Sequence, residues 1–266
     1  MSGQALVDHD RLLRRLAIEA EDLAGSIDYD KLEHQVPGCP DLTVGEAARH
    51  VGSDSRMLLY WLREGRRPRD WQREPASNQS LADYLRTGIA PLLTELAEHD
   101  PGEPAPGWFP DDRSYGFWQR RMAHEVSVHR VDVQRGIGMP VEDIPEVPED
   151  IALDGIDEVL TVWFQYRLTT LRVSGTKDKD VTIRTGGREW LARTGPGVEA
   201  NQVFRLWRTP WETGWHPGDE EGAEVSGSAM EVYLWLWGRR GVTQIPREGD
   251  FDAIGQLWVL LRLATR

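Results

Sequence analysis

The sequence predicts an α plus α+β protein, with an antiparallel helical bundle over residues 1–168 and a small α+β domain over residues 169–266. In the first part, apolar residues recur with the 3.6-residue period of amphipathic helices. Beyond residue 170 the period changes to the alternation that half-buried strands require. The polar segment 174–180 marks the change. Two periods in one chain therefore predict two domains of different class.

The first domain is expected to contain four long helices. Their apolar stripes cover residues 8–24, 44–64, 81–96 and 118–135. Thr43 and Glu46 have the spacing of a capping box at the start of the second helix. Loops rich in proline and glycine separate the stripes, and long helices joined by loops are typical of an antiparallel bundle. A fifth helix is expected over residues 149–166.

The second domain is expected to combine strands and helices. Alternating patterns predict strands at 171–174, 181–184, 189–193 and 202–206, and a further strand ending at Val225. Gly186 and Gly187 predict a hairpin turn between the second and third of these strands. Apolar helices are expected over 229–238 and 251–263. This mixture is typical of a small α+β domain.

Composition excludes several classes of function. A net charge of −13 argues against nucleic acid as a partner, since phosphate neutralisation needs a basic face, and against attraction to anionic membranes. No run of 18 apolar residues exists to span a bilayer. The N-terminal segment lacks an apolar signal, so a cytoplasmic location is expected. Cys39 is the only cysteine, which leaves no intrachain disulfide.

The fourth helix carries polar residues where a core is expected. Five residues share one stripe at helical spacing: Trp118, Met122, Glu125, His129 and Val133. Burying a carboxylate without a partner is costly, so buried charges are usually paired or bound to metal. Glu125 and His129 offer an oxygen and a nitrogen to one divalent cation. They could instead form a buried ion pair with each other, or Glu125 could pair with Arg121 or Arg130.

Three separated patches resemble elements of a known family. Residues 36–52 resemble its P-x-L-T-V-…-H-hydrophobic-G element, residues 121–132 its HE-x-x-x-HR-x-D element, and residues 225–239 its G-x-A-…-L-x-L-x-x-G-R signature. The family is that of the mycothiol-dependent maleylpyruvate isomerases. The resemblance implies a DinB-like metal-binding helical bundle followed by a domain similar to sterol-carrier proteins, and it covers nearly the whole chain in order.

The resemblance also implies a site. Zinc, or another divalent metal, would be held by His50, Glu125 and His129, with a fourth position open for the thiol cosubstrate mycothiol. Arg239 matches the family's arginine for an acidic substrate. The alternative for Arg239 is a helix C-terminal residue that compensates the helix dipole. Asp132 is expected to orient His129, or to form a local salt bridge.

These features predict a zinc-dependent enzyme that uses the mycothiol thiolate on an electrophilic, unsaturated carboxylic substrate, with isomerisation of the maleylpyruvate type. One alternative is a mycothiol S-transferase, and another is a non-catalytic ligand-binding protein. Relative to that family, the segments 66–80 and 207–224 are insertions. The second contains Trp207, Trp211, Trp215 and His216 in a loop expected to wall a pocket. A monomer is the expected oligomeric state.

Overall fold

The structure is a computed structural model that describes residues 4–197, 199–207 and 222–265. Of the expected pocket wall, Trp211, Trp215 and His216 lie outside these residues, whereas Trp207 lies within them and meets Trp190 edge to face, with ring centroids 4.6 Å apart. The chain forms two compact units, Met1–Glu146 and Val147–Arg266.

The boundary between the units falls earlier in the chain than residue 168. Residues 147–168 belong to the second unit, because helix Glu149–Glu158 packs on helix Ala229–Leu236 within it. The helical period of residues 149–166 was correctly interpreted, but a period does not reveal which neighbour a helix packs against.

The first unit contains the expected bundle of helices. Four long helices form it: α1 (His9–Gly25), α2 (Val44–Glu64), α3 (Leu81–Ala97) and α4 (Tyr115–Gly136). Helix α1 packs on α3 and α4, and α2 packs on the same two helices. A short antiparallel ribbon, β1 (Gln35–Val36) with β2 (Cys39–Thr43), precedes α2 and was not expected from the sequence.

Helix α2 begins and ends at the residues that its sequence signals indicate. The backbone N–H of Glu46 donates to Thr43 Oγ1 at 3.2 Å, and Glu46 Oε2 accepts from the backbone N–H of Thr43 at 2.8 Å. Gly65 ends the helix in the left-handed conformation, with φ of 68°. These caps set the position of every side chain that α2 presents to the rest of the bundle.

Gly52 allows α2 and α3 to approach closely. A Cβ atom at this position would lie 2.5 Å from Tyr84 Cε1. Tyr84 is fully buried, and its hydroxyl donates to the carbonyl of Gln72 at 3.0 Å, so the ring has little freedom to move. Gly52, the last residue of the sequence patch 36–52, is therefore explained by packing between two helices.

Replacing Gly52 with alanine is expected to lower the free energy of unfolding by about 1–3 kcal/mol, the usual cost of overpacking a core. Gly25→Ala is the matched control, because no atom lies within 4 Å of the Cβ position at Gly25. There, the reduced entropy of the unfolded chain should leave stability unchanged or slightly raised. Urea denaturation of both variants measures the difference, and equal effects would contradict the packing explanation.

Within its described residues, the second unit contains a five-stranded sheet with helices. Its strands are β3 (Lys179–Thr185), β4 (Arg188–Thr194), β5 (Gln202–Arg205), β6 (Ala223–Ser226) and β7 (Arg247–Glu248), in the order β5-β4-β3-β6-β7. Strand β6 is parallel to β3, and the other pairs are antiparallel. Gly186 and Gly187, with φ of 53° and 71°, form the expected turn between β3 and β4.

The helices of this unit lie at both ends of its sequence. They are α5 (Glu149–Glu158), a π-helical continuation (Val159–Arg167), α6 (Leu168–Leu171), α7 (Ala229–Leu236) and α8 (Phe251–Ala264). No helix in the described ranges has the length and apolarity needed to cross a membrane.

The prediction of a strand at residues 171–174 is wrong. The helix continues to Leu171, and Arg172 then adopts the left-handed conformation with φ of 55°. The backbone N–H of Val173 donates to the carbonyl of Leu168 at 3.0 Å, as in a Schellman cap. The amide that a strand would have offered to the sheet therefore closes the helix end.

Candidate metal centre

Helices α2 and α4 bring the three expected metal-binding residues together. His50 Nε2 lies 2.9 Å from Glu125 Oε1, and His129 Nε2 lies 3.2 Å from the same oxygen. One ligand atom from each residue lies within 4.8 Å of the other two. All three residues belong to the first unit, so one compact body holds the cluster.

The donor atoms fit a divalent cation. Atoms that bind one ion at about 2.1 Å are separated from one another by roughly 2.9–4.2 Å, depending on the angle between them. The separations of 2.9 Å and 3.2 Å fall in this range. Two imidazole nitrogens and one carboxylate oxygen are also a ligand set that zinc accepts.

Two neighbouring side chains orient these donors. Asp132 Oδ2 lies 3.1 Å from His129 Nδ1, so His129 directs its other nitrogen towards Glu125. Arg121 donates from Nη2 to Glu125 Oε2 at 2.8 Å. One oxygen of Glu125 is thereby held by Arg121, while the other faces both histidines. The ion pair with Arg121 that the sequence suggested thus coexists with a geometry suitable for metal.

The charges of the metal-free cluster balance one another. Burial opposes ionisation, but hydrogen bonds from His129 and His50 hold the pKa of the Glu125 carboxyl well below its usual value. Burial also disfavours the charged form of His129, yet hydrogen bonds to Asp132 and Glu125 raise its pKa to about 9. His129 is therefore protonated at neutral pH and its charge offsets that of Glu125, and a bound cation would displace that proton.

A fourth titratable group lies at the edge of the cluster. Asp54 is one turn after His50 on α2, and its Oδ2 lies 3.7 Å from His50 Nε2. Burial raises the pKa of the Asp54 carboxyl, while His50 lowers it. The i, i+4 spacing of His50 and Asp54 places both on one face of α2, which was a usable sequence signal for this neighbour.

Another face of α4 is held by a buried charge network. Arg130, the second suggested partner of Glu125, instead donates from Nε to Glu19 Oε2 and from Nη1 to Gln134 Oε1 at 2.7 Å. Arg15 donates to Glu19 Oε1 at 2.8 Å. Glu19 and Arg130 are fully buried. Glu19 and Arg15 were not predicted from the sequence, although their i, i+4 spacing beside an apolar stripe was a usable signal.

Arg239 lies in the second unit and is largely buried. It follows the end of α7, and its Nη1 donates to the carbonyl of Trp237 at 2.7 Å. This is the helix C-terminal contact that the sequence offered as the alternative for this residue. Contact with substrate stays a prediction.

Comparison with known proteins agrees with the family resemblance that the three sequence patches indicate. The family model for the mycothiol maleylpyruvate isomerase N-terminal domain matches residues 13–134, and the model for the C-terminal domain of the same family matches residues 150–254. Together the matches cover most of the chain. The chain belongs to the mycothiol-dependent maleylpyruvate isomerase family.

Two solved structures share the family fold. A crystal structure of the mycothiol-dependent maleylpyruvate isomerase superposes with a TM-score of 0.54 at 12% identity, covering 91% of this chain and 93% of that one. A structure of its histidine-to-alanine mutant gives the same TM-score and coverage at 13% identity. This likeness confirms a helical N-terminal region followed by a C-terminal sheet domain. No curated protein sequence matched.

Proposed function

We propose that this family member is a metal-dependent enzyme that uses mycothiol to transform an electrophilic, unsaturated carboxylic substrate. The observation that carries the proposal is the convergence of His50, Glu125 and His129 on one point. A purely structural ion pair would need one histidine for Glu125, whereas here two histidines direct the same type of nitrogen at one oxygen.

His50, Glu125 and His129 would hold zinc or another divalent cation. Three protein ligands leave a position for an exogenous group, which is the arrangement of catalytic rather than structural zinc sites. When bound, the metal would keep the mycothiol sulfur ionised, and the thiolate is the nucleophilic form. Arg121 and Asp132 would keep Glu125 and His129 in place while the exogenous ligand at the open position is exchanged.

Arg239 is proposed to bind the substrate carboxylate. Its planar guanidinium matches a carboxylate in two parallel hydrogen bonds, a geometry that lysine does not offer. Charge that develops on the substrate oxygen during addition would also be stabilised by the guanidinium. The hydrogen bond to Trp237 would fix the orientation of the side chain for this task.

The reaction proposed is cis–trans isomerisation. Addition of the thiol converts the substrate double bond into a single bond, rotation about that bond follows, and loss of the thiol restores the double bond in the other geometry. The same residues would serve an S-transferase, in which the addition product is released instead. The two reactions differ in the mass of the product and not in the site.

Product mass distinguishes these reactions directly. We expect zinc-loaded protein, incubated with mycothiol and maleylpyruvate, to give a product of unchanged mass that is released with full recovery of the thiol. A product heavier by one mycothiol would support the S-transferase. Protein stripped of metal by a chelator is the control. Equal turnover by stripped and loaded protein, or a metal-loaded protein that binds ligands without converting them, would contradict the proposal.

A further inference from the structure

The segment 66–80 packs against α2 beside the candidate metal centre. Trp71 donates from its Nε1 to Ser53 Oγ at 2.9 Å. Ser53 is three residues after His50, so the two side chains are neighbours on successive turns of α2. After leaving the far end of the helix, the segment therefore returns to the level of the proposed metal-binding residues.

The path of this segment places Arg67 alongside α2. Gly65, where the helix ends, and Ser53 are separated by about 18 Å along the helix axis, at 1.5 Å per residue. From Gly65 to Trp71 the chain spans at most about 22 Å, even when it is fully extended. Even with the reach of the Trp71 side chain, the chain has to run back along α2 rather than away from it. Arg67 lies on this returning stretch.

Arg67 acts on the same carboxylate as the histidines of the cluster. Burial raises the pKa of the Asp54 carboxyl, whereas the charges of His50, His129 and Arg67 lower it. Asp54 Oδ2 in turn lies 3.7 Å from His50 Nε2. The charge of Arg67 is therefore felt on the face of α2 that presents His50, and Arg67 itself is exposed to solvent.

This part of the segment concentrates positive charge in an acidic protein. Residues 66–73 contain four arginines and one acidic residue, Asp70, whereas the whole chain has a net charge of −13. The four arginines are exposed, and none of them lies within 4.0 Å of a carboxylate in the described part of the chain: Arg66, Arg67, Arg69 and Arg73. Charge of one sign beside a site raises the local concentration of an oppositely charged ligand and its association rate.

We infer that Arg67 binds a carboxylate of the substrate beside the proposed metal, and that the other arginines of residues 66–73 draw the acidic substrate to this side of α2. The inference rests on the proposed function, since it requires an acidic substrate at the candidate metal centre. It adds a cation in the unit that holds the proposed metal-binding residues, whereas Arg239 belongs to the second unit. An exposed guanidinium can offer two parallel hydrogen bonds to the incoming carboxylate.

Steady-state kinetics of charge variants test the inference. We expect Arg67→Gln to raise the KM for maleylpyruvate about 5-fold at low ionic strength and to leave kcat unchanged, as for loss of an exposed charge pair. The difference should shrink as salt is added, because salt screens exposed charges. Arg67→Lys, which keeps the charge, should recover most of the loss. Arg14→Gln is the matched control, since it removes the same charge from an exposed position on α1, a helix that contributes no residue to the cluster.

The outcomes separate the inference from the proposed function. Equal KM values and equal salt dependence for the wild type, Arg67→Gln and Arg14→Gln would overturn the inference, while the turnover itself would support the proposed function. A wild-type protein without turnover would instead contradict the proposed function. Calorimetric titration with maleate in the absence of thiol then decides the inference separately. Weaker binding by Arg67→Gln than by Arg14→Gln supports it, whereas equal binding, or no binding by the wild type, overturns it.

Discussion

Replacing His129 with alanine is expected to remove stoichiometric metal from the protein. His129 supplies one of the three donor atoms that converge at the site, and its nitrogen lies 3.2 Å from Glu125 Oε1. Loss of residues that merely support a ligand commonly lowers metal affinity about 10–100-fold, so loss of the ligand itself should exceed that range. The measurement is metal content per chain after purification, followed by competition with a chelator to obtain the affinity.

His34→Ala is the control for this experiment. The His34 side chain is exposed on the chain between α1 and α2, so its loss should leave metal content at the wild-type value. A His129→Ala protein that retains a full equivalent of metal would refute the assignment of this residue. A wild-type protein that carries no metal after growth in zinc-supplemented medium, and takes none up afterwards, would refute the site as a whole.

Much of this site was predictable because it depends on helical periodicity. Glu125 and His129 occupy an apolar stripe, and the structure brings them together as the 3.6-residue repeat requires. His50 could not be placed in this way, since periodicity within α2 does not specify which residue of α4 it meets. The resemblance of the sequence patches to the family indicated that His50 joins Glu125 and His129. The structure brings ligand atoms of these three residues within 4.8 Å of one another.

The errors occurred where tertiary packing decides the outcome. The pattern at residues 171–174 alternates like a strand, but its amides close a helix end instead. The helix α5 was correctly expected, yet its period carried no information about its neighbours, and it belongs with the second unit. Arg130 was one of two arginines suggested as partners of Glu125, whereas its carboxylate partner is Glu19, 111 positions away. The contacts of α5 and of Arg130 are distant in sequence, whereas the cap formed by Val173 is local.

Replacing Glu19 with glutamine is expected to lower the free energy of unfolding by about 3–5 kcal/mol. Glu19 is fully buried between Arg15 and Arg130, and accepts hydrogen bonds from both. Removal of one partner from a buried ion pair leaves an uncompensated charge in the interior, which costs far more than the pair contributed. Here, one carboxylate serves two guanidinium groups, so the neutral amide would leave both without a counter-ion. Urea denaturation monitored by circular dichroism measures the loss.

Glu21→Gln provides the matched control on the same helix. Glu21 pairs with Arg86 at 2.9 Å, but both side chains are largely exposed, at 60% and 46%. Water and salt screen such pairs, so this substitution should leave stability essentially unchanged. Equal effects of the two substitutions would show that the buried network contributes no more than a surface pair. A large loss for Glu19→Gln alone would establish that Glu19 fixes α1 against the helix that carries Glu125 and His129. Because Arg130 immediately follows His129 in the chain, the same loss would connect the stability of the bundle to the position of the proposed metal-binding residues.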